Sequence, residues 1–116
     1  MSKEIHLVFG FVFSNLVFLP SVFAGVPKDN ADHLLFGGGF SLGTTLCELT
    51  SSKDISINRA IEFRDKYMSE WDNPDAKRDY QLVGTGLNLG ITMLLKKDSG
   101  FFECNQLILK WIIRKY

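Results

Sequence analysis

The sequence contains few of the residues on which catalytic and metal sites depend. It has two histidines, and only His33 lies beyond the apolar N-terminal stretch. It has two cysteines, Cys47 and Cys104, and no C-x-x-C arrangement, the spacing typical of many zinc and redox sites. The two cysteines could form a disulfide, or they could be metal ligands or reactive thiols. Nothing else in the sequence supports a metal site or reactive thiols. We therefore expect no metal and no cofactor.

Neither sign of charge is in excess, because 13 Lys and Arg balance 13 Asp and Glu. A protein whose main partner is nucleic acid needs a basic face, so we expect no such partner. Asp72, Asp75 and Asp79 cluster around a proline, but they lack the glycine and the bidentate Glu of a calcium loop. No set of nucleophile, base and acid is apparent, so a non-enzymatic role is the favoured interpretation.

The N-terminus has the layout of a secretory signal peptide. Lys3 is followed by a stretch without charge from Leu7 to Ala24, with Pro20 near its end. We predict a signal peptide over 1–24 and a single small domain over 25–116, exported to the periplasm, the thylakoid lumen or the cell exterior. The alternative is an uncleaved membrane anchor, because about 18 apolar residues can just span a bilayer.

Two cysteines in an exported chain indicate one disulfide, Cys47–Cys104. In the chain-entropy model, closing so long a loop restrains the unfolded state by about 4 kcal/mol. That would be a large share of the stability of a small domain.

Apolar periodicity and capping residues predict an all-α fold, a bundle of three to four helices. The first helix runs from about Ala31 to Leu49 and is capped by an Asp or Asn at 29, 30 or 32. The second carries "INRAIEFRDKYMSEW" and is capped by Asp54 or Ser56. The third carries "YQLVGTGLNLGITMLLKK". The last segment, "FFECNQLILKWIIRKY", is predicted as a short helix, with a strand as the alternative.

The second helix is amphipathic. The apolar positions that share its predicted core face are Ile57, Ala60, Ile61, Met68 and Trp71, widened by Phe63 and Tyr67. The opposite side is charged and includes Arg64.

Two glycine-rich segments share one pattern. "GGGFSLGTTL" and "GTGLNLGITM" align at a fixed offset as G-x-G-Φ-x-L-G-x-T-Φ. Gly39 and Gly43 lie four residues apart, as do Gly86 and Gly90, so each pair shares one helix face. Glycine costs about 1 kcal/mol per helical position relative to alanine. We therefore predict that these four glycines permit close packing of helices.

The glycines have two alternative interpretations. A phosphate-binding loop is excluded by context, because no strand precedes either segment and no Gly-Lys-Ser/Thr follows. Gly37 and Gly38 could instead delay the start of the first helix.

"FGGGFSLGTTLCEL" followed by "KDISINRAIEF" resembles a loose group of small secreted proteins from marine cyanobacteria. The resemblance covers about half of the domain and "FFECN", and its positions here are Gly39, Gly43, Cys47, Ile55, Ser56, Ala60 and Cys104. It implies a signal peptide and two helices joined by a polar turn, with no assigned activity. This chain departs from the group by continuing about a dozen residues past the second cysteine.

The C-terminal tail combines Trp111 with the cations Lys110, Arg114 and Lys115. Either it packs Leu107, Ile108, Trp111 and Ile112 on the core, or its cations and tryptophan contact an anionic membrane surface.

For the whole chain we predict an exported module that binds an unidentified protein or peptide. The alternatives are a small membrane-associated protein, held by the N-terminal segment or the tail, and an unrecognised enzyme.

Overall fold

The computed structural model describes residues 25–97 and 99–112, and within them it shows three α-helices and no strand. Helix α1 spans Asn30–Ser51, α2 spans Ile57–Trp71 and α3 spans Lys77–Lys97. A 3-10 turn, Pro74–Ala76, leads into α3, and a 3-10 segment, Ser99–Leu107, follows it. The predicted all-α bundle with one disulfide is confirmed.

The predicted signal peptide, 1–24, lies outside the described residues. Among the helices of the described part, none combines the length and the apolar character needed to cross a bilayer.

Helix α1 has a local signal at each end. The Asp29 side chain caps its start by accepting the Asp32 N–H at 2.8 Å. At its end Lys53 adopts the left-handed conformation, with φ of 66°. The Lys53 and Asp54 N–H groups then donate back to Thr50 O and Leu49 O at 3.1 and 2.9 Å, which satisfies the last carbonyls of the helix.

Gly37 and Gly38 lie inside α1, which begins at Asn30. The alternative that they delay the start of the helix is therefore wrong. The Asp29 cap decides the start, because a side-chain oxygen that accepts a free N–H favours the first turn.

Helix α2 begins after Ser56, whose Oγ accepts the Arg59 N–H at 3.1 Å. Its buried residues are Ala60, Arg64 and Met68, one turn apart on a single face. Two sequence predictions are wrong here: Arg64 is buried, and Phe63 is 54 % exposed. The reason is that α2 turns the face of Ala60 and Met68, not that of Phe63, toward α3 and the tail.

An ion pair ties the segment before α1 to the rest of the molecule. Asp32 accepts from the Arg78 guanidinium and from the Lys28 N–H at 3.0 Å. Arg78 also donates to Val26 O at 3.0 Å. The hydrogen bond from Arg78 is the main reason why the pKa of Asp32 lies below its ordinary value. The pair joins α1, α3 and residues 25–28.

In the described part of the C-terminal tail, 99–112, helical structure ends at Leu107 and 108–112 have none. Leu107, Leu109 and Ile112 are nonetheless buried. Side chains from elsewhere in the fold form hydrogen bonds with backbone N–H and carbonyl groups that a continuing helix would pair internally. Asn88 pairs with both backbone groups of Leu109, accepting its N–H at 2.7 Å and donating to its carbonyl at 2.9 Å. The predicted helix is therefore wrong over 108–112, and the rest of the prediction, 113–116, lies outside the described residues.

The core lies between α1, α3 and the tail, with α2 packed across them. Its buried apolar members are Leu46, Cys47, Ala60, Met68, Tyr80, Val83, Leu87, Ile91, Leu94, Cys104, Leu107, Leu109 and Ile112.

Candidate functional site

The two cysteines form a disulfide, as predicted. The Cys47 and Cys104 Cα atoms are 5.2 Å apart, and the bond joins α1 to the 3-10 segment of the tail. Both residues are fully buried, so the bond is structural. A buried structural disulfide indicates a compartment outside the reducing cytoplasm.

Gly39 and Gly43 bring α1 against the backbone of α3. A Cβ added at Gly39 would lie 2.8 Å from Val83 C and 3.1 Å from Leu87 N. One added at Gly43 would lie 3.1 Å from Leu87 C. Backbone atoms cannot move aside as a flexible side chain can, so any side chain here would push the helices apart.

Gly86 and Gly90 make the matching contacts from α3. A Cβ at Gly86 would lie 2.9 Å from Phe36 C and 3.1 Å from Phe40 N, and one at Gly90 would lie 2.5 Å from Phe40 O. The four glycines thus lie in a single helix crossing.

The two halves of this crossing are related by an approximate two-fold symmetry. Gly39 meets Val83 and Leu87, while its repeat equivalent Gly86 meets Phe36 and Phe40. At the fixed offset of the repeat, Phe36 corresponds to Val83 and Phe40 to Leu87. The contacts are therefore reciprocal, as in an isologous interface.

The symmetry stops at the first glycine of the pattern. A Cβ at Gly37 would meet nothing within 4 Å, whereas one at Gly84 would collide with the side chain of Ile112. The four packed glycines, which we call the glycine seam, therefore serve the close packing of α1 against α3.

Arg64 is a structural residue that sequence reasoning missed. Its guanidinium is nearly inaccessible and donates to Gln106 O at 3.2 Å and to Leu107 O at 3.0 Å. It also pairs with Asp65 at 2.7 Å and lies 4.9 Å from the centre of the Trp111 ring. One signal could have revealed it: position 64 lies one turn from both Ala60 and Met68, two residues that were predicted to face the core.

The tail residues proposed as membrane or partner contacts fall into two groups. Lys110 is exposed, while Trp111 is 38 % exposed and donates its indole N–H to Tyr80 Oη at 3.0 Å. Arg114 and Lys115 lie outside the described residues. Trp111 is thus engaged with Arg64 and Tyr80 along the inner side of the tail.

In the described residues, no three His, Cys, Asp or Glu side chains come together as a metal site. His33 is exposed on the first turn of α1. A small pocket of about 140 Å³ lies beside Asp65, Asp72 and Trp111, but the Asp65 carboxylate is already held by Arg64. These groups do not assemble the nucleophile, base and acid that an active site requires.

A concave feature follows one side of α2. A cleft of about 490 Å³ is lined by six residues that we call the outer α2 face: Arg59, Glu62, Phe63, Lys66, Tyr67 and Glu70. Phe63 is 54 % exposed at its centre, although a benzyl side chain favours burial.

Tyr67 lies at the edge of the outer α2 face that is nearest to α1. Its hydroxyl lies 3.9 Å from the position that a Gly38 Cβ would occupy on α1. Its ring is 6.5 Å from that of Trp71. Leu34, 78 % exposed, lies one turn before Gly38 on α1. The face therefore has an apolar centre, charged flanks and an aromatic border.

Comparisons with protein-family models, with curated proteins and with solved structures found no match to this chain. The geometry of the chain itself therefore carries the functional proposal.

Proposed function

We propose that this chain is an exported, non-enzymatic interaction module that binds a helical segment of a protein partner across the outer α2 face. The observation that most supports this proposal is that Phe63 is 54 % exposed at the centre of a cleft of about 490 Å³. Partly exposed aromatic side chains with charged flanks are typical of protein contacts, where the aromatic group anchors the partner and the charges form the rim.

Export is supported by the buried disulfide, because such bonds persist outside the reducing cytoplasm. The apolar N-terminal stretch supports the same route. Within the exported space, the periplasm, the thylakoid lumen and the cell exterior are all compatible with a disulfide-stabilised domain. Stability there comes from the core and the disulfide, which leaves the outer α2 face available for binding.

The tail gives less support to a membrane role. Leu107, Leu109 and Ile112 are buried in the core, and the Trp111 indole N–H is bonded to Tyr80. A tail that docks on lipid would present these apolar groups to the membrane interface. We therefore place the binding function on α2.

Site-specific photo-crosslinking tests the proposal. A photo-reactive phenylalanine analogue is introduced at Phe63 and, as a matched control, at Met93 on α3, which is also 54 % exposed. The modified chains are expressed with their export segment and irradiated in intact cells. We expect a protein adduct from position 63 and none from position 93. Equal adducts at both positions, or none at 63, would contradict the proposal.

A further inference from the structure

The order of charges along the outer α2 face points to its partner. We infer that the partner is a second copy of this chain, docked with the two α2 helices antiparallel about a two-fold axis between Phe63 and Lys66. This inference rests on the proposed function and names the partner of the same face.

An antiparallel pair places the two ends of the face against one another. Arg59 lies near the start of α2 and Glu70 near its end, three turns away. In the antiparallel pair, Arg59 of each copy comes opposite Glu70 of the other, so the two-fold axis forms this ion pair twice.

The middle of the face is complementary in the same way. Phe63 comes opposite Lys66 of the second copy, whose aliphatic stem can cover the ring while its ammonium group lies over the ring or in water. Glu62 lies beside Lys66 of the second copy, so that pair too has opposite signs.

A parallel pair of the same helices is disfavoured. It would bring Arg59 against Arg59, Glu62 against Glu62, Lys66 against Lys66 and Glu70 against Glu70. Like charges across a helix interface select against that arrangement. The order of charges along α2 therefore favours the antiparallel pair over the parallel pair.

Two further properties suit a self-contact. The chain has a formal net charge of zero, so two copies do not repel each other at long range. The Arg59–Glu62 pair within one copy has a 3.2 Å contact, with side chains 76 % and 71 % exposed. Exposed pairs of this kind contribute little, so both side chains are free to pair with the second copy.

One helix face is smaller than a standard protein interface, so we expect a reversible, concentration-dependent dimer. Sedimentation equilibrium on the purified chain, with its disulfide intact, measures the dimerisation constant. Arg59→Glu and Glu70→Arg are each expected to weaken dimerisation by about tenfold, because each change places like charges across both symmetry-related contacts.

Two rescues make the test specific for the antiparallel pairing. The double variant Arg59→Glu/Glu70→Arg restores opposite signs in both contacts, so its dimerisation constant should return to that of the parent. An equimolar mixture of the two single variants should form heterodimers more tightly than either forms homodimers. Circular dichroism serves as the control that all variants fold.

The outcomes separate this inference from the proposed function. A chain that stays monomeric at all concentrations, while position 63 still crosslinks to a different protein, overturns the second copy as partner and leaves the interaction module standing. A dimer that is insensitive to both single variants also overturns the inference. Adducts at position 63 with the mass of two chains, together with rescue by the double variant, support both proposals.

Discussion

Gly37 and Gly39 are two residues apart in α1, yet their surroundings are opposite. Gly37 faces open space, while Gly39 lies against the backbone of Val83 and Leu87. Substitution by alanine should therefore have opposite effects on stability at the two positions, because the added methyl group meets other atoms only at position 39.

We predict that Gly39→Ala destabilises the chain by about 2–3 kcal/mol, because the added methyl group meets backbone atoms. Gly37→Ala should instead stabilise it by about 0.5–1 kcal/mol, because alanine favours the helix and restricts the unfolded chain. Urea unfolding of both variants measures the difference. If Gly39→Ala is as stable as Gly37→Ala, α1 and α3 are not in backbone contact at the seam.

At the scale of elements, one side chain joins α2 to the tail. Arg64 satisfies the carbonyls of Gln106 and Leu107, which a continuing helix would have paired with its own N–H groups. Replacing Arg64 by leucine removes this donor from both carbonyls, of which that of Leu107 is buried.

We predict that Arg64→Leu costs about 2–4 kcal/mol in the free energy of unfolding. Arg59→Leu, on the exposed side of the same helix, is the matched control and should change stability by less than about 0.5 kcal/mol. Both are measured in dilute solution, where self-association does not contribute. A loss at Arg64 no larger than the loss at Arg59 would mean that the tail does not depend on the guanidinium.

The Asp32–Arg78 pair links α1 and α3 to the segment before them, and it makes stability depend on pH. The pKa of Asp32 is lowered in the folded chain, chiefly by the hydrogen bond from Arg78. Unfolded, the carboxyl titrates near its ordinary value of 3.8. The pair therefore contributes fully above that pH, and its contribution is lost as the pH falls through the lower folded value.

We predict that Asp32→Asn flattens the fall in the midpoint of thermal unfolding as the pH drops below the ordinary Asp pKa of 3.8, relative to the parent chain. Asp75→Asn, an exposed carboxyl on the 3-10 turn, is the control and should leave the profile unchanged. If the unfolding midpoints of the parent chain and of Asp32→Asn depend on pH in the same way, the Asp32–Arg78 pair does not make stability depend on pH.

At the scale of the whole molecule, the disulfide connects the C-terminal part of α1 to the tail across 57 residues of sequence. All three helices lie within or beside the loop that it closes. In the chain-entropy model, most of its effect is on the unfolded chain.

We predict that Cys47→Ala/Cys104→Ala lowers the free energy of unfolding by about 4 kcal/mol. Urea unfolding measures this loss. The circular dichroism of the variant before the transition should match that of the parent chain, which shows that the variant folds. In the parent chain, intact mass after alkylation should show no modified cysteine until a reductant is added. Full alkylation without reductant would contradict the bond.

Much of the fold could be predicted from the sequence because its signals are local. Asp29 and Ser56 accept N–H groups three residues ahead, and the apolar period of α2 is read within a single helix. The spacing of the glycines within each segment placed each pair on one face. The two cysteines left a single possible pairing.

Contacts between distant parts of the chain determine which side of each element is covered. Whether position 37 or 39 is packed, whether Arg64 or Phe63 is buried, and where the tail stops being helical all depend on residues distant in sequence. The tail is the clearest case, because Asn88 and Arg64 take backbone groups that the local sequence would assign to a helix. Local propensity is worth tenths of a kcal/mol per residue, and a buried hydrogen bond or a backbone contact outweighs it.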